Sequence, residues 1–374
     1  MGKAHMATIE VTDRHVVYEN PQPQNRARHG YFPGLVNLPS GDLLALFALG
    51  EALEAANITT VVSRSHDRGR SWTFEGPLHE KDAAHPYDAD WLKPTLLADG
   101  TIIATGYSFH RTDPDQTVVS PDGGLRDGDN LVSFSRDEGR TWTRPEVVPR
   151  SCPELIEQSG PSIQLRRGTI LLSGSLCPMW DGTSPSGPVG ILSRSDDGGA
   201  TWDDRGRFYE DKKGNYVPAE PRLCEVQDDR VVALVWTFDF FGNRSSTNHV
   251  TVSDDGGRTW SDPIDTGIQG QASNLTHLEG DLLLSIHSHR EGKDIGLYVR
   301  VVDFSEDTWR TIKEMKVWGG APAMNTSDYT NMGQNLKFGQ PSLLLLGNGE
   351  FLATHWAVED GQSKILTHRL QVSW

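Results

Sequence analysis

Apolar residues fall along this chain in short, nearly unbroken blocks, and no segment sustains the period of a helix. Six blocks recur at wide intervals: Leu43-Leu44-Ala45-Leu46-Phe47, Thr101-Ile102-Ile103-Ala104, Ile170-Leu171-Leu172-Ser173, Val231-Val232-Ala233-Leu234, Leu282-Leu283-Leu284-Ser285 and Phe351-Leu352-Ala353-Thr354. Continuous apolar runs of this length suit strands buried on both faces. Each block follows an earlier extended stretch and a turn containing Gly or Asp. Those first stretches start near Tyr31-Phe32-Pro33, Lys93-Pro94, Gly160-Pro161, Glu220-Pro221, Gln271-Ala272 and Gln340-Pro341. The pattern therefore predicts six inner hairpins. Between them, Asn130-Leu131-Val132-Ser133-Phe134 and His249-Val250-Thr251-Val252 alternate as strands do. Ala52-Leu53-Glu54-Ala55-Ala56 predicts one helical turn in a loop. Ala7-Thr8-Ile9-Glu10-Val11 predicts a strand pairing with Leu370-Gln371-Val372, which would hide two sheet edges.

A second repeat sits between the hairpins. Ser65–Trp72, Ser135–Trp142, Ser195–Trp202 and Ser253–Trp260 share the form S-x-D-x-G-x-[ST]-W, and Ser305-Glu306-Asp307-Thr308-Trp309 is a degraded fifth copy without the glycine. The Asp carboxylate can accept backbone N–H groups in a tight turn, the Gly supplies a positive φ, and the Trp buries a large ring between neighbouring sheets. Each box is thus a strand–turn–strand unit. Together, the boxes and the six inner hairpins predict an all-β chain built as a six-bladed β-propeller.

Composition narrows the choice of function. The chain has 374 residues, 36% of them hydrophobic, enough for a sizeable core. Mean hydropathy is -0.48, and no long apolar run suggests a membrane span. A formal net charge of -16 argues against a nucleic-acid partner, yet a local arginine cluster could still hold one anionic small molecule. Cys152, Cys177 and Cys224 cannot all pair, and their spacing does not suggest zinc, so they read as free thiols. Met1–Met6 reads as a vector remnant, and residues 7–374 as one propeller domain. The expected location is the cytoplasm, or outside the cell if a signal peptide once preceded the native start. The oligomeric state is left open.

The boxes and inner repeats resemble the bacterial neuraminidase repeats of the sialidase superfamily, over nearly the whole chain. The resemblance implies that the Asp boxes lie on a rim away from substrate, and that the pocket sits on the axis at the starts of the inner strands. It also implies three carboxylate-gripping arginines, a tyrosine nucleophile with a glutamate partner, and an acid/base aspartate on an early loop. This chain diverges at several of these places. Around the first arginine it reads Arg28-His29-Gly30-Tyr31-Phe32-Pro33, before the fourth box it has Asn248-His249 with Arg244 upstream, and Gly339-Gln340-Pro341 replaces the tyrosine, with Tyr329 too far upstream. Glu220-Pro221-Arg222-Leu223-Cys224-Glu225 is similar to the segment carrying the family's glutamate, which maps onto Glu220.

Glycoside cleavage needs a carboxyl group to protonate the leaving oxygen and a second group as base or nucleophile. Glu220 is the first candidate, with Arg222 two residues on. Asp88, Asp90 and Glu54 are the candidate acid partners. Substrate contacts are expected from Arg28, Tyr31, Trp91, Lys93, Glu157, Arg244 and Gln340. Blade-end residues complete the set: Tyr107, His110, Trp236, Asp239, His289, Arg290 and His355. Trp91 would stack on a sugar ring. His287 and His289 share a strand face, but without an obvious third ligand they read as pocket lining, so neither a metal nor a cofactor is called for. Three functions stay open: a sialidase-like exo-acting glycoside hydrolase, a lyase on uronate-containing glycans using Tyr107, His110, His289 and Arg290, and a non-catalytic carbohydrate-binding propeller.

Overall fold

The computed structural model describes residues 7–239, 244–323 and 336–374; Met1–Met6 and Tyr329 lie outside them. The described strands form six antiparallel sheets, each a blade. Blade one is typical, running His29–Asn37, Leu43–Gly50, Thr59–Ser65 and Thr73–Pro77 from inside to outside. The inner strands of blades two, four, five and six are Ala89–Leu96, Tyr216–Gln227, Gln271–Glu279 and Phe338–Gly347. That of blade three is split into Ile156–Glu157 and Ile163–Gln164, with Gly160-Pro161 in the gap. The inner strand of blade one touches those of both blade two and blade six, so the ring is closed. The fold is the expected six-bladed, all-β propeller.

Closure uses both chain ends. Thr8–Tyr18 pairs with Gln362–Ser373 as the outermost strand of blade six, with Ile9 opposite Val372 and Val11 opposite Leu370, as the sequence predicts. Ala52–Ala56 does not wind into a helical turn. It makes two successive tight turns, Ala55 N–H to Ala52 O at 3.3 Å and Ile58 N–H to Ala55 O at 3.2 Å. The Asn57 side chain, which accepts the Glu51 N–H at 3.1 Å, offers the backbone that alternative.

The boxes clip blade to blade. In the second copy, Asp137 accepts Thr141 N–H at 2.9 Å and the Thr141 hydroxyl at 2.6 Å. Ser135 Oγ accepts Gly139 N–H at 2.8 Å, and Trp142 Nε1 donates to Gly139 O at 3.2 Å. These bonds hold the Asp137 carboxyl down at about 2. Gly139 has φ 81, and a Cβ there would lie 2.7 Å from Leu44 of blade one. The other three repeat the contact: Gly69 meets Leu352 of blade six, Gly199 Ile103 of blade two, and Gly257 Leu192 of blade three. The missing side chain thus lets each turn sit directly on the preceding blade. In the degraded copy, Trp309 is still buried against Phe304 while Glu306 and Asp307 take the positive φ.

Candidate functional site

The inner strands begin at the end of each blade opposite the boxes, and there they are irregular. Pairing slips between Tyr31 and Gly34, Ala219 and Arg222, Gln271 and Ser273, and Gly339 and Ser342. At these bulges Phe32, Glu220, Ala272 and Gln340 adopt φ of 54°, 45°, 53° and 40°. A following proline in three of them, Pro33, Pro221 and Pro341, has no N–H to give a ladder, which suits the unpaired position. Non-glycine residues in this region store strain, and bulges of this kind re-aim side chains beside sites.

Five charged side chains and one amide meet on the axis. Lys93 Nζ donates to Gln340 Oε1 at 3.0 Å, and the Gln340 amide donates to Glu220 Oε1. Arg222 Nη1 reaches Pro221 O at 2.8 Å and Ser159 Oγ at 3.3 Å. Arg290 Nε donates to Phe338 O at 3.0 Å, and its backbone N–H donates to Gln271 Oε1 at 3.2 Å. Gln271 in turn donates to Ser245 Oγ, which also receives Trp236 Nε1 at 2.8 Å, so Trp236 props Arg290 through two intermediates. Glycines make room for the guanidiniums. A Cβ at Gly339 would lie 1.7 Å from Arg290 Nη2, and one at Gly160 would lie 3.1 Å from Arg222 Nη1. Below this cluster a cavity of about 330 Å³ runs along the axis, lined from all six blades by Pro33, Lys93, Ile163, Arg222, Asn274 and Ser342 among others.

Burial and mutual charge set the protonation states. Burial, then the nearby Glu220 carboxylate, pushes the Glu157 carboxyl up to about 8, against the opposing pull of Arg222, Ser159 and Lys93. Burial, then Arg222, holds Lys93 well below its usual range, and burial brings Arg290 down to about 10. Three basic groups against two carboxyls leave one net positive charge, and a proton passed from Lys93 to Glu157 does not change it. Glu220 Oε2 and Arg222 Nη2 are buried and have no protein partner among the described residues. The arrangement can offer a proton from Glu157, a carboxylate from Glu220, and guanidinium donors to an anionic group.

The other sequence candidates lie elsewhere. Asp90 is buried in the clasp between blades one and two, accepting Thr60 N–H at 2.9 Å and pairing with His79 at 3.2 Å. Burial raises its carboxyl, but His79 and Thr60 outweigh this and leave it below its usual value. Asp88 accepts Arg111 N–H and pairs with His110 at 2.7 Å, and His110 also meets Asp129 at 3.2 Å. Glu54 stands exposed on the first-blade loop, where Arg111 donates to its backbone carbonyl at 2.5 Å. Trp91 does not form an open sugar platform: it is buried and stacked on Tyr107 at 5.6 Å, because its side of the strand faces the neighbouring sheet. Tyr107 packs there too, close enough to Arg222 to act on its charge. Tyr31 packs edge-on against Trp356, and Arg28 lies beside Tyr18. Arg244 pairs with Asp239 at 3.4 Å on the rim. His289 is held by Gln269 O and Lys293 O, while fully buried His355 stacks on His368 within blade six. His287 is buried with its Nε2 3.1 Å from Ser285 Oγ, away from His289.

The structure thus joins Glu220, Glu157, Lys93, Arg222, Arg290 and Gln340, and adds Ser159, Gln271, Gly160 and Gly339, which sequence reasoning did not single out. Their signal was their place beside the strand-start prolines and alanine that marked each blade.

Solved structures share the fold. A protein of unknown function from Dyadobacter fermentans superposes with a TM-score of 0.76 at 20% identity, covering 98% of this chain and 99% of that one. An alpha-L-arabinanase from Penicillium chrysogenum, complexed with arabinobiose, gives 0.64 at 14% identity and covers 97% and 98%. Trypanosoma rangeli sialidase in complex with the inhibitor DANA gives 0.64 at 16%, covering 92% of this chain and 55% of that one. No curated protein matches by sequence. Residues 126–317, more than half of the chain, match the model of the BNR repeat-like domain, and the chain belongs to that family.

Proposed function

We propose that this chain is an exo-acting glycoside hydrolase whose axial cluster takes a sugar carrying an anionic group. The observation that carries the reading is the meeting of Glu157 and Glu220, one carboxyl held protonated near neutral pH and the other with an unpartnered buried oxygen. Glu157 serves as the acid that protonates the leaving oxygen. Glu220, clamped by Gln340, serves as the base or nucleophile. Arg222 and Arg290 take the anionic group, since one Arg222 nitrogen is free to donate. Glycosidases among the structural neighbours, an arabinanase and a sialidase, support a sugar as ligand.

Nitrophenyl glycosides together with uronic- and sialic-acid oligosaccharides test the proposal. Turnover is expected on at least one, with Glu157→Gln and Glu220→Gln each lowering kcat by about a hundredfold or more. Unchanged rates in Glu220→Gln would remove the assignment. Tyr107 beside Arg222 favours a second reading, a uronate lyase, whose mark is an unsaturated product absorbing in the near ultraviolet.

A further inference from the structure

Two long loops stand at the mouth end of blades two and three, and they are locked together. Residues 110–129 follow strand Ile102–Phe109, and residues 177–188 follow strand Ile170–Leu176. Leu125 N–H donates to Pro178 O at 2.8 Å. Gly124 packs so closely on the second loop that a Cβ there would lie 1.8 Å from Met179 O. At the crest, Trp180 sits in a turn closed by Gly182 N–H to Met179 O at 2.7 Å and braced by Asp181, which accepts the Thr183 N–H and hydroxyl. This tryptophan is 42% exposed. Arg126 lies over its ring with Cζ 4.5 Å from the centroid, and Arg126 Nε is fixed on Thr117 O at 2.7 Å. An exposed indole on so braced a turn is a built surface and not a stray side chain.

Beneath Trp180 is a hollow of about 150 Å³, floored by Leu155 and Cys177 and walled by Pro153, Pro178 and Leu125. Its floor adjoins the axial cluster, since Cys177 N–H donates to Leu155 O at 3.0 Å and Glu157, two residues on from Leu155, pairs opposite Ser175 of the strand that runs into Cys177. An acid must stand beside the oxygen it protonates, so the departing group lies on the Glu157 side of the cluster. That side is the one on which the hollow and Trp180 stand.

We propose that Trp180, Arg126 and this hollow form the subsite for the leaving group, and that its occupant is the ring next to the scissile bond. The inference rests on the glycosidase reading above. An apolar floor with an indole edge takes a ring face, and the Arg126 guanidinium takes a ring hydroxyl. The hollow is too small for more than one ring.

Equilibrium binding to the Glu220→Gln protein tests this without requiring turnover. The probes are matched 4-nitrophenyl and methyl glycosides of each sugar, alike except for the ring in the leaving position. Some sugar is expected to bind about tenfold tighter as its 4-nitrophenyl glycoside. That advantage should vanish when Trp180→Ala is added and largely persist with Trp180→Phe. An advantage that survives Trp180→Ala, or no advantage for any sugar, overturns the subsite. The hydrolase reading fails separately: binding with the predicted Trp180 dependence, but no turnover by the wild-type protein, removes catalysis and keeps the subsite.

Discussion

Among the described residues Glu157 has no salt-bridge partner holding it ionised, and its carboxyl is pushed up to about 8 by burial and by the Glu220 charge. In the acid role it must be protonated, so kcat should hold from neutral pH up to about 8 and fall above that. A pH–rate profile measures this, and an alkaline limb well below pH 7 would take the acid role from Glu157. The same shift affects stability. A carboxyl whose folded pKa lies above its unfolded value of 4.5 lends stability that is complete below 4.5 and lost as pH rises through about 8. Glu157→Gln cannot ionise, so its thermal midpoint should exceed that of the wild type above pH 8 and converge with it near pH 4.5. Scanning calorimetry at the two pH values decides. At this scale the sequence pointed to Glu220 and its arginine, which the structure brings together on the axis, because a family-like segment named them. It pointed equally to Asp88 and Asp90, which lie outside the axial cluster, because a carboxylate at a strand start looks the same whether it faces the axis or, like Asp90, clasps the neighbouring blade.

The element that builds the site is the bulged inner strand. Its proline was readable in five blades, and with Gln271-Ala272 in the fifth these six strand starts gave the blade count. Its left-handed residue was not, because residues before proline ordinarily favour extended φ, and only the register against the second strand forces Glu220 and Gln340 out of it. Gly339, with φ 151, lies against Arg290, where a Cβ would meet Nη2. Gly339→Ala should therefore displace that guanidinium and raise KM for a carboxylated glycoside by roughly tenfold or more, while leaving a neutral glycoside of the same panel little changed. Equal effects on both would mean that Arg290 does not read the anionic group. The boxes give the opposite expectation. Asp137→Ala removes the bonds from Thr141 at the end away from the pocket and should cost about 1–2 kcal/mol in denaturant unfolding with kcat/KM unchanged.

For the whole ring, the closure in blade six carries chemistry that makes it sensitive to acid. His355 and His368 stack 5.2 Å apart between strand Glu350–Glu359 and strand Gln362–Ser373, the second of which is the ring's side of the seam. Burial holds both below their ordinary value, His368 at about 4, with Arg14 of the N-terminal strand adding to the effect. In the unfolded chain both would titrate near 6.5. The pair therefore lends stability that is complete above 6.5 and lost as pH falls through that value toward about 4. The strand Thr8–Tyr18 is joined to the ring only late in the sequence order, 352 residues away at His15–Thr367, so nothing local re-forms it once it frays. Between pH 7 and pH 4.5, amide exchange corrected for intrinsic rates should accelerate in residues 8–18 and 362–373 before it does in the inner strands of blades two to four. Replacing the pair by His355→Leu with His368→Leu should flatten that difference. Uniform acceleration around the ring would show that acid opens the propeller as one body and that the histidine pair has no special hold on its seam.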